Sequence, residues 1–330
     1  MNYIKKDNRI FIAGHRGMVG RSIKRSLENH GYKNLLLTNR TDLNLLDNAK
    51  VKKWFKVNKP EIVILAAAKV GGIEANNNYP ADFILENLKI QTNIIENAWK
   101  NGTKRLLFLG SSCIYPKLAK QPLKEEYLLT GPLEQTNDAY AVAKIAGIKL
   151  CSSLRKQYGF DAISLMPTNL YGPGDNYHTS NSHVLPALIK KFHYAKMQNK
   201  NEVICWGSGS PKREFLYVND LAEASIFVLE KVSISNESFN NIVESRDGIL
   251  NIGTGNEISI KELAEMISFE IGYEGEIKWD NSKPDGTPRK LLDISKATTL
   301  GWTAKTSLKK GIKLTISHYM NELNSKSIRL

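Results

Sequence analysis

The sequence contains few cysteines. Only 3 of its 330 residues are cysteine, and Cys113, Cys151 and Cys205 lie far apart along the chain. Three scattered thiols cannot form a disulfide framework, and none belongs to a CxxC pair of the kind that binds zinc. We therefore expect reduced cysteines and no metal site.

Long apolar segments are also missing. No stretch approaches the roughly 18 uninterrupted apolar residues of a membrane-spanning helix, and residues 1–7 contain no apolar core of a signal peptide. These absences predict a soluble, cytoplasmic protein with no membrane partner.

Acidic residues are outnumbered, with 33 Asp and Glu against 46 Lys and Arg, for a formal net charge of +13. A nucleic-acid footprint needs such charge clustered on one face. Here the basic residues are spread along the chain, without an Arg-rich arm. The sequence therefore predicts no nucleic-acid partner. A diphosphate ligand held by a few cations fits this charge distribution better than a nucleic acid does.

Short apolar runs alternate with helical patterns in the first half of the chain. Runs that are apolar on both faces are typical of buried parallel strands, and the segments between them are long enough for crossover helices. The predicted strands are residues 10–13, 35–37, 62–65, 106–109 and 163–166, and the predicted helices are residues 19–30, 48–58, 82–100 and 139–158. The alternation predicts an α/β fold with a Rossmann-type, doubly wound parallel sheet.

The pattern becomes irregular after Tyr171. Two more helices are predicted, one over residues 220–232 and one opened by the capping box of Ser259 and Glu262. The polar stretch of residues 233–248 predicts a surface excursion. We expect a nucleotide-binding Rossmann domain over residues 1–170 and, over residues 171–330, a smaller substrate-binding lobe that is discontinuous and returns some segments to the first domain.

A GxxGxxG motif directly follows the first predicted strand and opens a helix. Its glycines let backbone N–H groups close on a pyrophosphate at the helix N-terminus, whose partial positive charge favours the anion. This context favours a dinucleotide site over a tight turn without a ligand. The predicted contacts in this loop are Gly14, His15, Arg16, Gly17, Met18, Val19 and Gly20.

The end of the second strand indicates which cofactor binds. An acid there would hold the ribose 2′-hydroxyl of NAD, whereas an Arg would accommodate the 2′-phosphate of NADP. No acid stands at the strand tip, and Arg40 lies where Arg16 can join it. The pattern favours NADP(H) as the cofactor. The alternative is that Arg40 is a solvated loop residue without a ligand. The remaining predicted contacts at this edge are Thr41, Asp42, Leu43, Asn44 and Leu45.

A YxxxK motif places Tyr140 and Lys144 one turn apart on the same face of a predicted helix. A neighbouring ammonium favours the phenolate and makes the phenol a usable proton donor to a carbonyl oxygen. YxxxK alone occurs often by chance. Here it follows the glycine motif and a strand that ends in Gly110, Ser111 and Ser112.

These motifs, in this order, resemble the extended short-chain dehydrogenase/reductase family, whose members act on nucleotide sugars. Longer strings narrow the resemblance to the branch that epimerises and reduces GDP-linked 4-keto-6-deoxy sugars. They are FIAGHRGMVG from residue 11, AAAKVGGI from residue 66, GSSCIYP from residue 110, MPTNLYGP from residue 166 and KPDGTPRK from residue 283. The resemblance extends over residues 10–302.

The resemblance implies roles for individual residues. Ser111 and Tyr140 would share the substrate carbonyl oxygen, while Lys144 would orient the nicotinamide ribose and lower the pKa of Tyr140. Cys113 and His183 match the acid/base pair for epimerisation; taken alone they would be a small buried thiol and a loop histidine. Which of them is the base stays open. The implied lining of the cofactor also includes Leu109, Gly110, Ser111, Ser112, Lys144, Pro167, Thr168, Asn169, Leu170 and His183.

The resemblance also implies a GDP site. Its predicted residues are Lys191, Trp206, Arg213, Asp285 and Lys290. Lys191 stands where the family commonly has Arg, and it offers a point charge instead of a two-pronged guanidinium.

The function implied is conversion of GDP-4-keto-6-deoxy-D-mannose by 3,5-epimerisation and then NADPH-dependent 4-keto reduction, in a homodimer built on the helix of residues 82–100 and the helix carrying Tyr140. One rival is a nucleotide-sugar 4-epimerase or 4,6-dehydratase with retained NAD, which Arg40 disfavours. Another is a catalytically silent NADP-binding sensor. The complete set of Ser111, Tyr140 and Lys144 disfavours that class.

Overall fold

The computed structural model describes residues 2–179, 181–232, 248–283 and 285–329. The predicted surface excursion of residues 233–248 lies outside this part of the chain, except for Gly248. Within the described residues, no helix has both the length and the apolar character that a membrane span requires.

The first half of the chain alternates strands and helices. Its elements are β1 (Ile10–Ala13), α1 (Met18–Asn29), β2 (Leu35–Leu36), α2 (Asn48–Asn58), β3 (Ile62–Leu65), α3 (Ile73–Asn78), α4 (Pro80–Lys100), β4 (Arg105–Leu109), α5 (Asp138–Tyr158), β5 (Ala162–Pro167) and β6 (Asn169–Tyr171). The predicted boundaries hold to within two residues. The α4 helix starts earlier than predicted because Pro80 suits the first helical position.

The second half contributes further strands and helices. They are α6 (Val184–Met197), β7 (Glu202–Trp206), β8 (Lys212–Tyr217), α7 (Val218–Lys231), β9 (Ile249–Ile252), β10 (Glu257–Ser259), α8 (Ile260–Ile271), β11 (Glu276–Asp280), β12 (Arg289–Lys290), α9 (Ser295–Thr299) and α10 (Leu308–Asn324). The predicted capping box is present, since Ser259 Oγ accepts from the Glu262 N–H at 3.1 Å and the Glu262 carboxylate accepts from the Ser259 N–H at 2.9 Å. The sequence prediction missed α3, α6, α9, α10 and the strands β6 to β12.

The main sheet has six parallel strands in the order β2-β1-β3-β4-β5-β9. All four residues of β1 and all four of β3 are buried, which explains their uninterrupted apolar sequences. The strand order reverses between β1 and β3, and ligands bind outside the carboxyl ends of strands at such a point. The predicted Rossmann-type parallel sheet is confirmed.

Successive residues of β1 face opposite layers of helices. Ile12 belongs to the core cluster that contains Ile23 of α1 and Leu221 of α7. Phe11 belongs to the cluster on the other side, with Phe55 of α2. Segments of the C-terminal half thus return to the main sheet, because α7 covers one face and β9 extends the edge.

The strands outside the main sheet form two smaller sheets. β8 pairs with β6 and β12 in parallel and with β10 antiparallel, while β7 pairs with β11 in parallel. Together with α6, α8 and α10 they surround a separate core that includes Phe192, Phe215 and Ile267. We call this unit the second lobe. Because β6 follows β5 after one residue, the second lobe sits directly at the carboxyl edge of the main sheet.

Candidate active site

The loop between β1 and α1 contains three glycines. Two of them pack tightly against backbone atoms, and the third has free space beside it. A Cβ on Gly14, whose φ is +90°, would lie 2.7 Å from the Ala67 backbone nitrogen, and one on Gly20 would lie 2.2 Å from the Gly14 carbonyl oxygen. Gly17 is the N-cap of α1 and has an extended backbone, and a Cβ there would meet no described protein atom nearer than 3.5 Å. Packing explains Gly14 and Gly20. Gly17 keeps the helix N-terminus accessible, as a dinucleotide pyrophosphate would require.

The edge beyond β2 carries positive charge. Arg16 and Arg40 are both exposed, and neither guanidinium forms an ion pair with a described residue. The acid nearest in sequence, Asp42, accepts from the Thr41 hydroxyl at 3.3 Å. The residues present therefore fit a 2′-phosphate.

The side chain of one residue predicted to contact the cofactor at this edge lies in the core. Leu43 is only 3% exposed and packs in the core with Phe11 and Val51. Asn44 caps the local turn, because its Oδ1 accepts from the Leu46 N–H at 3.1 Å. Leu43 can reach a cofactor only through its backbone.

The wall opposite the glycine loop is formed where β4 and β5 end. A Cβ on Gly110 would lie 2.4 Å from Met166 Sδ, so a larger residue there would require the Met166 side chain to move. The Thr168 hydroxyl and the Asn169 amide both donate to the Glu214 carbonyl oxygen, at 3.2 Å and 2.7 Å. The predicted segment from Pro167 to Leu170 thus fastens the main sheet to the second lobe at the edge of the site.

Tyr140 and Lys144 project from the first turns of α5. Lys144 is 4% exposed, and its ammonium donates to the Leu109 carbonyl oxygen at 2.8 Å and lies 5.8 Å from the centre of the Tyr140 ring. Burial lowers the pKa of Lys144 to about 8. The predicted pair is therefore brought together beside the end of β4.

The expected lowering of the Tyr140 pKa is not what the structure shows. Burial raises that pKa, the Cys113 thiol adds to the rise as it ionises, and a hydrogen bond with Ser111 opposes it. The Lys144 ammonium is directed to the Leu109 carbonyl instead. Tyr140 is consequently a protonated phenol at neutral pH.

Cys113 lies in the short turn that follows β4. The Ser111 hydroxyl caps this turn and accepts from the Cys113 N–H at 3.2 Å. The thiol Sγ lies 3.3 Å from Lys290 Nζ and 3.6 Å from the Asn137 amide nitrogen. Burial raises the pKa of Cys113, but the Lys290 ammonium and the hydrogen bond with Ser111 outweigh it, so the pKa lies below its ordinary value. Cys113 is half-buried and not the inert core thiol of the alternative interpretation.

His183 is the N-cap of α6 and is exposed to solvent. The loop after β3 holds the preceding residues, because the Gly72 N–H donates to the Asn181 carbonyl oxygen at 3.3 Å. The surrounding protein and the nearby charge of Lys290 lower the pKa of His183. His183 therefore carries a neutral imidazole at neutral pH, on the same side of the molecule as the thiol.

The predicted GDP residues form a wall on the second lobe. Trp206 at the end of β7 is 66% exposed, and the Lys283 ammonium lies 5.6 Å from the centre of its ring. The Lys191 ammonium donates to the Ile204 carbonyl oxygen at 2.8 Å. Asp285 accepts from the Ser208 N–H at 3.0 Å and from its hydroxyl at 2.7 Å, so it closes the turn after β7.

Arg213 and Lys290 are adjacent partners in the pairing of β8 with β12. Arg213 is half-buried; burial lowers its pKa, and the neighbouring charges of Cys113, Asp285 and Glu134 oppose that shift. Arg213 thus lies within the electrostatic influence of both the thiol and Asp285, while its guanidinium donates to the Lys212 carbonyl oxygen at 2.7 Å. Lys290, which is predicted to bind GDP, contacts the Cys113 thiol.

Asn137, which contacts the thiol, and Glu214, which lies behind the site in β8, were not predicted. Asn137 precedes Tyr140 by one helical turn, and its amide Oδ1 is buried without a described partner while its nitrogen faces Cys113. Glu214 is fully buried and accepts from the N–H groups of Thr254, Gly255 and Leu292, so it ties β8 to the turn after β9 and to the segment after β12. The sequence indicated Asn137 only through its position three residues before Tyr140, which places it one helical turn away.

The chain belongs to the NAD dependent epimerase/dehydratase family, which it matches over residues 10–242. Its relatives within that family are more specific. It is 54% identical to a putative GDP-L-fucose synthase 2 of Arabidopsis thaliana, over 98% of this chain and 95% of the relative. It is also 54% identical to the GDP-L-fucose synthase of Escherichia coli K12, over 94% and 96% of the two chains.

A solved structure has the same fold over nearly its whole length. A GDP-mannoheptose C4 reductase of Campylobacter jejuni, with NADP bound, is 40% identical and superposes with a TM-score of 0.87 over 96% of this chain and 99% of that one. The similarity extends through both the main sheet and the second lobe. The NADP in that structure agrees with the accessible Gly17 and with Arg16 and Arg40, whose guanidinium groups form no ion pair with a described residue.

Proposed function

We propose that the chain converts GDP-4-keto-6-deoxy-D-mannose to GDP-L-fucose by 3,5-epimerisation followed by NADPH-dependent reduction of the 4-keto group. The observation that carries the proposal is a second proton-transfer centre beside the reductase pair, namely the Cys113 thiol 3.3 Å from the Lys290 ammonium. Reduction of a ketone needs only one proton donor at the oxygen. The two GDP-L-fucose synthases at 54% identity support the same assignment.

The first step removes protons from carbon. A 4-keto group acidifies the C–H bonds at C3 and C5, because it delocalises the electron pair left on either neighbouring carbon. The lowered pKa of Cys113 favours the thiolate as the base, and the neutral His183 imidazole relays a proton from solvent to the opposite face. Ser111 and Tyr140 donate hydrogen bonds to the enolate oxygen and stabilise its charge.

The second step protonates the same oxygen. NADPH supplies the hydride to C4 when it is bound. Tyr140 gives its proton to O4, and its raised pKa keeps the phenol protonated until that charge develops. Lys144, with a pKa of about 8, is mostly an ammonium at neutral pH and holds the ribose hydroxyls beside Tyr140.

The cofactor is NADP(H). Arg16 and Arg40 would grip the 2′-phosphate, and the open N-terminus of α1 at Gly17 would hold the pyrophosphate. On the second lobe, Arg213 and Lys191 would neutralise the GDP diphosphate. The exposed Trp206 ring offers a stacking surface for guanine.

We also propose a cytoplasmic homodimer, with residues 1–170 as the cofactor domain and residues 171–330 as the main substrate lobe. Leu85 on α4 is 53% exposed and Val142 on α5 is 43% exposed. These two helices pack against each other, so the two side chains lie on neighbouring outer faces that a second copy would cover. Light scattering at micromolar concentration should give twice the chain mass, and a monomer would contradict the proposal.

The test of the function is incubation with NADPH and GDP-4-keto-6-deoxy-D-mannose. Loss of nicotinamide absorbance follows reduction, and proton NMR of the product reports the configuration at C3 and C5. We expect GDP-L-fucose. A product reduced at C4 with both centres retained would instead make the chain a C4 reductase, and no reaction would favour a binding protein.

A further inference from the structure

We propose that Lys290 is the counter-ion of the Cys113 thiolate, and so a positioning residue for C–H bond cleavage and not a nucleotide ligand. Lys290 Nζ lies 3.3 Å from Cys113 Sγ, across 177 residues of sequence and across the boundary between the second lobe and the main sheet. The inference deepens the proposed function, on which its effect on turnover rests. The state of the thiol itself is measurable without substrate.

The backbone fixes Lys290 in this position. β12 pairs with β8 through Lys290 and Arg213, and the neighbouring Arg289 turns to the other side, where it binds Glu257 at 2.8 Å. The following N–H groups are also held, that of Leu291 by the Gln121 side chain at 2.9 Å and that of Leu292 by Glu214 at 3.0 Å. A short strand anchored on both sides keeps the ammonium at the thiol.

The charges around the thiol come from several elements, and cations predominate. β12 contributes the Lys290 ammonium and β8 contributes the Arg213 guanidinium. The Asn137 amide, just before α5, is an uncharged donor to the thiol. Tyr140 of α5 is a protonated phenol, and His183 at the start of α6 is neutral.

Both described acids near Arg213 have other partners, and Asp285 accepts from Ser208. Glu134 lines the same pocket as Cys113, but it accepts from Lys117 at 2.8 Å and from the Thr287 hydroxyl at 3.3 Å. Among the described residues, the Lys290 ammonium thus has the thiol as its anionic partner.

The proton balance assigns Lys290 a role without proton transfer. When the thiolate removes a proton, the C–H bond breaks, an S–H bond forms and the electron pair moves to the enolate oxygen. Lys290 keeps its own proton throughout. Its charge sets how much of the thiol is ionised before the step, so its loss should slow abstraction at neutral pH and leave reduction at C4 in place.

The test titrates the thiol in the protein without substrate. The ultraviolet absorbance of the thiolate is followed against pH, and the curve of Cys113→Ser is subtracted to remove Cys151 and Cys205. In Lys290→Met the Cys113 pKa should rise by about 1 to 3, the change expected on losing an opposite charge at this distance. Lys290→Arg should retain most of the lowered pKa. Lys278→Met, which removes a charge from an exposed pair with Glu202, is the matched control and should change nothing.

Two further measurements separate the possibilities. Calorimetric titration with GDP should give similar dissociation constants for wild type and Lys290→Met, and the pH profile of C3 and C5 proton exchange should move upward with the thiol pKa. An unchanged thiol pKa in folded Lys290→Met overturns the inference, and a GDP dissociation constant weakened about 10-fold or more would make Lys290 a nucleotide ligand. If Lys290→Met does not fold, Lys290→Gln takes its place. A shifted thiol pKa without turnover of any 4-keto sugar would uphold Lys290 and refute the proposed function.

Discussion

Gly17 and Gly20 offer a matched pair of substitutions that locate the cofactor. A Cβ on Gly17 would meet only the Gly14 carbonyl oxygen, at 3.5 Å, whereas a Cβ on Gly20 would lie 2.2 Å from that oxygen. The backbone of Gly17 is extended, with φ −74° and ψ 165°, a conformation open to alanine. Gly17→Ala should therefore fold normally, and Gly20→Ala should not.

The magnitudes follow from the two environments. At Gly17, alanine stiffens the unfolded chain and so raises the free energy of unfolding by about 0.4–1 kcal/mol. Alanine is also a poor N-cap, which lowers that free energy by a similar amount. The net change should be less than about 1 kcal/mol. At Gly20 the overlap is with backbone atoms that cannot rotate away, and overpacking should lower the free energy of unfolding by about 1–3 kcal/mol or more. The Gly17 methyl would instead occupy the space proposed for the pyrophosphate. The loss of one charge-assisted hydrogen bond there, worth about 1.5–3 kcal/mol, weakens NADPH binding about 10- to 100-fold.

The assay combines thermal unfolding with a fluorescence titration of NADPH. Gly17→Ala should melt within about 4 °C of wild type and bind NADPH much more weakly. If this variant binds NADPH as wild type does, the dinucleotide does not approach Gly17, and the cofactor site assigned to the N-terminus of α1 is wrong.

Two other predictions concern charges in the site. Arg40→Ala should raise the KM for NADPH by about 10- to 100-fold, because a charge-assisted contact is lost. The KM for NADH should remain nearly unchanged. Equal effects on both constants would refute the 2′-phosphate assignment. Burial holds the pKa of Lys144 at about 8 in the folded chain, against its ordinary value of 10.5, so the unfolded chain binds more protons between these values and stability should rise with pH across that window. Thermal unfolding of wild type minus that of Lys144→Met should show this rise from about pH 8 to about pH 10, and a flat difference would contradict it.

Local sequence was sufficient for the main sheet. β1 and β3 are buried on both faces, so four consecutive apolar residues are enough to indicate each of them. β9 has a similar composition, but its place beside β5 depends on pairing with residues more than 80 positions earlier, which no local pattern encodes. β12 consists of two charged residues and exists only because β8 is there to pair with it.

The same division applies to the site. The glycine loop is a local pattern of one turn and the start of α1. The pair of Tyr140 and Lys144 is a local pattern within the first turns of α5. The contact of Cys113 with Lys290 joins parts of the chain 177 residues apart, and the family resemblance alone suggested GDP as the partner of Lys290. The direction of the Lys144 ammonium toward Leu109 was equally inaccessible, because a backbone carbonyl has no sequence signature.

We expect epimerisation and reduction to use separate proton-transfer groups in one site. The direct measurement is turnover of GDP-4-keto-6-deoxy-D-mannose with NADPH in heavy water by Cys113→Ser and Tyr140→Phe, with deuterium at C3 and C5 and NADPH consumption recorded together. Cys113→Ser should slow exchange by about 10² to 10⁴ and still consume NADPH, giving a sugar with retained C3 and C5, because serine is a far weaker proton acceptor at neutral pH. Tyr140→Phe should exchange both protons and barely consume NADPH. If Cys113→Ser exchanges both protons at the wild-type rate, Cys113 is not the base and the account of the site is wrong.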